Sequence, residues 1–259
     1  MEHISKAQVK FVRSLQLKKY RDEHGLFVAE GDKCIEELRK GFELEYLIVE
    51  EGLSSVSEAV CTLSAKRSEI EQMSGLKTPQ GSIAVFRKAA VGYGDRTMGH
   101  DLTLLLDGIQ DPGNLGTIIR TCDWFGVKEI ICSPDTVDCY NPKVVQATMG
   151  ALVRIRLVYR DLVPLIKAEH YAGTRIFGTL LDGKNLYETL STKDQRLTTN
   201  DRSIIIMGNE GNGISEEVRK YITHPIRIPS YPEGAETSES LNVAIATAVV
   251  LAEFRRVLN

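Results

Sequence analysis

No stretch of the 259 residues comes near the roughly 18 consecutive apolar side chains that a membrane helix requires. The opening residues MEHISKAQVK lack the apolar run of a secretory signal, so the expected location is the cytoplasm. Cys34, Cys61, Cys122, Cys132 and Cys139 are odd in number and contain no C-x-x-C pair, which argues against a disulfide framework or a zinc knuckle and predicts buried thiols. His3, His24, His100, His170 and His224 are scattered without ligand spacing, so no metal is expected. Neither a G-x-G-x-x-G after the first strand of a domain nor a G-x-x-x-x-G-K-[ST] occurs, and the common dinucleotide and P-loop readings fail with them. An excess of positive charge is missing too. The 32 Lys and Arg face 35 Asp and Glu, which excludes a chain coated in positive charge for nucleic acid but leaves room for a local patch.

What is present is globular: 42% hydrophobic and 26% charged residues, in a length that suits one large domain or two modest ones. Residues 1–90 carry 14 basic and 14 acidic side chains, so the first part as a whole is not basic. Its first 21 residues are the exception, with Lys6, Lys10, Arg13, Lys18, Lys19 and Arg21 against Glu2 alone. Lys6, Lys10 and Arg13 follow the i, i+4, i+7 spacing of one helix face, with Phe11, Val12 and Leu15 broadly opposite. That face is either simply solvated or a phosphate contact. GLFVAEG, LEYLIVE and SIAVFRKA read as strands and Asp32–Arg39 as a helix, a small alternating α/β domain over 1–90. The glycine-rich VGYGDRTMGH suggests a linker over 91–101.

From 102 to 259 the alternation is cleaner. LTLLLDG, KEIIC, RIRLVY, RIFGTLL and RSIIIMG read as strands; Asn114–Phe125, NPKVVQATMGAL and Leu241–Val257 read as helices. Continuous apolar strands alternating with helices predict an α/β fold with a mostly parallel sheet covered on both faces.

Candidate chemistry lies in three loops at strand ends, where open α/β sheets bind ligands. Pro112-Gly113-Asn114 feeds a helix that carries Arg120; MGNEGNGIS (207–215) holds three glycines; IPSYPEGAETSESLNVAIA (228–246) ends with Ser240 and Asn242 at a helix start. Taken singly, Asn114 and Ser240 could be helix caps, Arg120 a surface ion pair and Glu210 a solvated turn residue.

Together, N-L-G-T-I-I-R-T, I-M-G-N-E-G-N-G-I and I-P with S-L-N-V resemble the three motifs of the SPOUT superfamily, specifically its TrmH/SpoU-like branch of RNA 2′-O-ribose methyltransferases. GTLLDG and ATMGAL are also similar to that branch, and residues 1–90 resemble the L30e/L7Ae-like substrate-binding domain often fused ahead of it. Two features depart from the pattern: the loop SYPEGAETSE is longer than usual, and Ala244 stands where the branch commonly has Ser. The resemblance implies a C-terminal trefoil knot, a homodimer and S-adenosyl-L-methionine as cofactor. It implies that Met207, Gly208, Asn209, Gly211, Ile228, Pro229 and Leu241 hold that cofactor through backbone groups, with Thr179 and Leu180 lining the far wall. Arg120 matches the family's essential arginine, and Asn114, Glu210, Ser240 and Asn242 its polar companions. A guanidinium is a permanent donor, so the role expected for Arg120 is to clamp an RNA phosphate and stabilise the developing alkoxide. A phosphate oxygen or Glu210 would then receive the proton.

An RNA substrate adds weight to phosphate contacts from Lys6, Lys10 and Arg13, with ribosomal RNA favoured over transfer RNA by the extra domain. Tyr20 and Phe27 could stack bases, although burial suits Phe27 better. The rivals are a non-catalytic RNA-binding module, a Rossmann-like oxidoreductase and a metal-dependent hydrolase. The five matched polar residues argue against the first, and the missing fingerprints against the other two.

Overall fold

A computed structural model describes residues 1–53, 61–88, 102–191, 202–232, 238 and 240–258. The expected linker 91–101 lies outside these residues, as do 233–237 and 239 of the long third loop. The elements run β1 (Glu2–His3), α1 (Lys6–Ser14), α2 (Lys18–His24), β2 (Leu26–Glu30), α3 (Asp32–Leu38), β3 (Leu44–Glu50), β4 (Thr62–Ala65), α4 (Arg67–Met73) and β5 (Ser82–Arg87). They continue with β6 (Leu102–Asp107), α5 (Pro112–Trp124), β7 (Glu129–Cys132), α6 (Pro142–Thr148), β8 (Arg156–Tyr159), α7 (Leu162–Tyr171), β9 (Arg175–Asn185), α8 (Leu186–Ser191), β10 (Ser203–Gly208), α9 (Glu216–Arg219), β11 (His224–Arg227) and α10 (Val243–Leu258). Among the described residues no helix is long and apolar enough to cross a membrane. The chain divides into two compact units, residues 1–91 with 138–154 and residues 92–137 with 155–259.

In the first unit the strand order is β1-β4-β3-β5-β2, with β4 parallel to its neighbours and β5 antiparallel to its own. α1 has the amphipathic face its spacing predicts. Ser5 caps it in a box with Gln8, Val9 and Val12 turn inward, and Lys6, Lys10 and Arg13 stay exposed. Val9, Val12 and Leu15 share a core with Val28, Ile48, Ile70, Met73 and Val85. Successive side chains of β2 point to opposite faces, so Phe27 enters a second cluster with Phe42, Phe86 and Tyr140. It is a core residue; Tyr20 is half-buried.

Tyr140 comes from the segment 138–154, which lies between β7 and β8 in the chain but packs in this unit. Val144 and Val145 of α6 are buried, and the Cys34 thiol donates to the Val145 carbonyl at 3.9 Å. Burial pushes that thiol up to about 11. Arg21 is buried as well: Nε and Nη2 donate to Asp138 Oδ2 at 3.0 and 2.7 Å, and Nη1 to the carbonyls of Leu15 and Gln16. Four cysteines are buried; Cys61 is exposed, against expectation, because it sits in the bend before β4 and not in a core.

The second unit holds a sheet of order β11-β9-β10-β6-β7-β8 in which every neighbouring pair is parallel. The apolar runs LTLLL and SIIIM form its centre and are buried throughout, as expected of strands covered on both faces. On one face Leu162, Leu165 and Ile166 of α7 pack with Leu105, Ile131, Ile176, Ile204 and Ile206. On the other, Phe254 of α10 meets Phe177 edge-on with centroids 4.8 Å apart, and α10 lies against α5. α5 begins two residues before the predicted start because Pro112 takes the first helical position and Asp111 caps it.

Candidate active site

Parallel pairing puts the C-terminal ends of all six strands along one edge, and the order β11-β9-β10-β6 makes the loops that follow these four strands neighbours. Most of the predicted residues lie at these strand ends: Asn114 is in the first turn of α5 after β6, Thr179 and Leu180 lie within β9, Met207–Gly211 close β10, and Ile228, Pro229 and Ser240–Asn242 follow β11; Arg120 lies deeper in α5. The sequence placed the loops at strand ends; the strand order makes them adjacent.

The β9 wall arises from a break in register. Along β11, Pro225 pairs with Gly178 but the next residue, Ile226, pairs with Lys184, so Thr179–Gly183 leave the ladder as an excursion. Gly183 is required there, because a Cβ would come within 2.5 Å of the Ile226 backbone. β10 pairs with β9 only from Ser203 to Ile206 but with β6 as far as Gly208. Met207 and Gly208 therefore extend past the β9 ladder on one side, as an anchoring edge for a ligand would. The Thr179 hydroxyl turns back to the Ile206 carbonyl at 3.2 Å and the Met207 sulfur at 3.7 Å. Leu180, Ile228 and Pro229 are half-buried, and Leu241 is exposed.

The loop after β10 is built by its own side chains. Asn209 Oδ1 accepts from the amides of Gly211 and Asn212, and its Nδ2 donates to the Gly108 carbonyl at 2.7 Å. Asn209 and Gly213 also exchange both backbone bonds. A side chain at Gly208 would meet the Gly213 and Ile214 backbone at 2.3–2.6 Å, so the loop's own return demands glycine before any ligand does. Gly211 has only Asn209 Oδ1 nearby, at 3.5 Å, and remains open.

Three residues from three loops meet. Asn242 Nδ2 donates to Asn114 Oδ1 at 2.9 Å, and Asn114 Nδ2 donates to Glu210 Oε1 at 2.5 Å. The plainer uses are thereby sorted out. The cap of α5 is Asp111, which accepts from the Asn114 amide at 2.8 Å, so the Asn114 side chain is free for the other loops. The cap of α10 is Asn242, whose Oδ1 accepts from Ala244 and Ile245, and not Ser240, which is exposed. Arg120 is exposed and has no hydrogen-bond or ion-pair partner among the described residues, so it is no surface ion pair. Burial pushes the thiol of nearby Cys122 far up, which removes it as a nucleophile.

Sequence reasoning passed over Asp107, Asp111 and Gly183. Asp107 ends β6 and accepts from the Ser215 amide at 2.8 Å, tying the β10 loop to its neighbour. A carboxylate closing an otherwise apolar strand was the available signal, as was Asp-Pro before a helix for Asp111. GTLLDG ends on Gly183, but the reason for that glycine comes from a strand more than 40 residues away and could not be read from the motif.

Comparison with known proteins agrees with this fold. Residues 6–84 match the MRM3-like substrate binding domain. The 23S rRNA (guanosine(2553)-2'-O)-methyltransferase RlmP of Bacillus subtilis is 27% identical over 259 residues, covering 98% of both chains. A TrmH-family structure from Porphyromonas gingivalis superimposes with a TM-score of 0.81 at 36% identity, over 98% of both chains. An AdoMet-bound rRNA methyltransferase from Sinorhizobium meliloti does so at 0.79 and 29% identity, over 99% of this chain and 97% of that one. Residues 101–252, more than half of the molecule and all of the edge just described, match the SpoU rRNA Methylase family, and the chain belongs to that family.

Proposed function

We propose that this chain transfers a methyl group from S-adenosyl-L-methionine to a ribose 2′-hydroxyl of ribosomal RNA. The observation that carries the reading is the Asn242–Asn114–Glu210 chain, which locks three of the loops together; Arg120, further along α5, has no partner among the described residues. The backbone of Met207 and Gly208 beyond the β9 ladder, the open Gly211 and the half-buried Leu180, Ile228 and Pro229 fit the donor. Asn209 and Leu241 complete the residues that would hold it, and Thr179 shapes the wall. When bound, S-adenosyl-L-methionine supplies an electrophilic methyl group on its sulfonium.

Arg120 holds the phosphate next to the target ribose and stabilises negative charge developing on its oxygen. Glu210, fixed by Asn114, or a phosphate oxygen takes the hydroxyl proton; Ser240 orients the sugar from the third loop, and Asn242 holds Asn114 in place. Lys6, Lys10 and Arg13 contact RNA phosphates from the first unit; their exposure on one helix face supports this.

The same reading includes a threaded C-terminal segment and a homodimer. The exposed Trp124, Leu241 and Ile245, on or beside the mutually packed α5 and α10, support an apolar contact with a second copy. Light scattering on the eluting protein checks that contact.

Titration calorimetry and label transfer test the function. Binding of S-adenosyl-L-methionine without NAD binding, and incorporation of its labelled methyl into ribosomal RNA, are the expected results. Transfer to transfer RNA alone would redirect the substrate, and RNA binding without transfer would favour the non-catalytic module.

A further inference from the structure

The chain Asn242–Asn114–Glu210 has a direction on which both ends agree: the Glu210 carboxylate offers only acceptor oxygens, and Asn242 turns only a donor toward Asn114. Asn242 Oδ1 is committed to the amides of Ala244 at 3.0 Å and Ile245 at 3.3 Å, which open α10. Its carbonyl oxygen cannot turn toward Asn114 without giving up the cap, so only its Nδ2 faces that residue. Asn114 must then accept through Oδ1 and has only Nδ2 left to offer Glu210. Its backbone amide is already taken by Asp111. A donor at that point demands an acceptor oxygen on Glu210. Oε1 fills that place, and Oε2 has no partner among the described residues.

We infer that Asn242 is a positioning residue: as the cap of α10 it holds the Asn114 amide in the sense that the Glu210 carboxylate requires, and the chain fixes Glu210 as an oriented acceptor with Oε2 presented to the substrate. This rests on the methyl-transfer reading above. It adds that a helix cap dictates how the carboxylate is set, across positions 128 and 96 residues apart in sequence. Asn114 is the relay. Its amide could serve either polarity by rotating half a turn, and the cap holds it in the one sense that a carboxylate can meet.

Substitution separates capping from polarity. Asn242→Asp caps a helix as well as asparagine does and places negative charge favourably at the helix start. It has no donor, so Asn114 turns to donate to the new carboxylate and presents its own carbonyl to Glu210. The expected result is an unchanged or raised Tm and cofactor binding within about twofold. The value of kcat should fall by on the order of 10²-fold, the lower range of general acid–base effects, while KM for RNA changes little. A second variant, Asn242→Asp with Glu210→Gln, closes the chain in the opposite sense, because a glutamine amide donates to the turned Asn114. Its Tm should exceed the sum of the two single effects, while kcat stays low for want of the carboxylate.

Wild-type turnover in Asn242→Asp, a large fall in its Tm, or additive Tm changes in the double variant would each overturn the inference. These outcomes leave the proposed function standing if the unaltered protein methylates RNA in the same assay. Failure of the unaltered protein would instead remove the reading on which the inference depends.

Discussion

Arg120 shows how little of a residue's use is visible in its own neighbourhood. It is an exposed cation without a partner among the described residues, on a helix held at its start by Asp111 and Pro112. A guanidinium left free on a rigid helix keeps all its donors for an incoming anion. Replacing Arg120 by alanine should lower kcat by about 10²–10³-fold, the usual loss for a preorganised donor, with cofactor affinity nearly unchanged. Arg120→Lys should stay well below wild-type turnover, because lysine cannot reproduce the fork; near-full activity would remove bidentate clamping from the account. Arg21 is the opposite case. Its side chain and that of Asp138 are 2% and 10% exposed, so Arg21→Met leaves a buried carboxylate uncompensated. Chemical denaturation should show a loss of about 3–5 kcal/mol.

Among the elements, α1 offers a test that leaves the catalytic edge untouched. Reversing the charges of Lys6, Lys10 and Arg13 together should weaken RNA binding and flatten its salt dependence, by about 0.7–0.9 in log–log slope for each phosphate that is no longer neutralised. Cofactor binding should not change, and its loss alongside RNA binding would point to misfolding. The central strands were legible because LTLLL and SIIIM are apolar without interruption, a pattern that only a doubly covered strand needs. α7 was not, because Pro164 reads as a breaker. It sits in the helix's first turn, where no intrahelical N–H bond is lost. β11 was missed for a related reason: HPIR is four residues long, carries a proline and lies at the sheet edge. The identity of the site residues was readable from motif spacing. That Asn242 rather than Ser240 is the cap, and that Asn114 faces two other loops, depends on strand order and was not.

At the scale of the whole molecule, the chain passes between the two units three times, at 91/92, 137/138 and 154/155. Periodicity could not show this, since an apolar helix face such as that of α6 does not say which core it covers. The first unit is therefore not the contiguous stretch 1–91. A fragment of that length would expose the surface that Tyr140, Val144 and Val145 cover and would strand Arg21 without Asp138. It should be markedly less stable than the same fragment with 138–154 restored through a linker, as thermal melts would show.

The central claim is that the four loops on this edge hold a methyl donor against a sugar oxygen of ribosomal RNA. Mapping of ribose methylation across ribosomal RNA, in cells with and without the protein and with the Arg120→Ala variant, tests it most directly. The account predicts a 2′-O-methyl group that disappears with the protein and does not return with the variant. A methylation map identical in all three would contradict it.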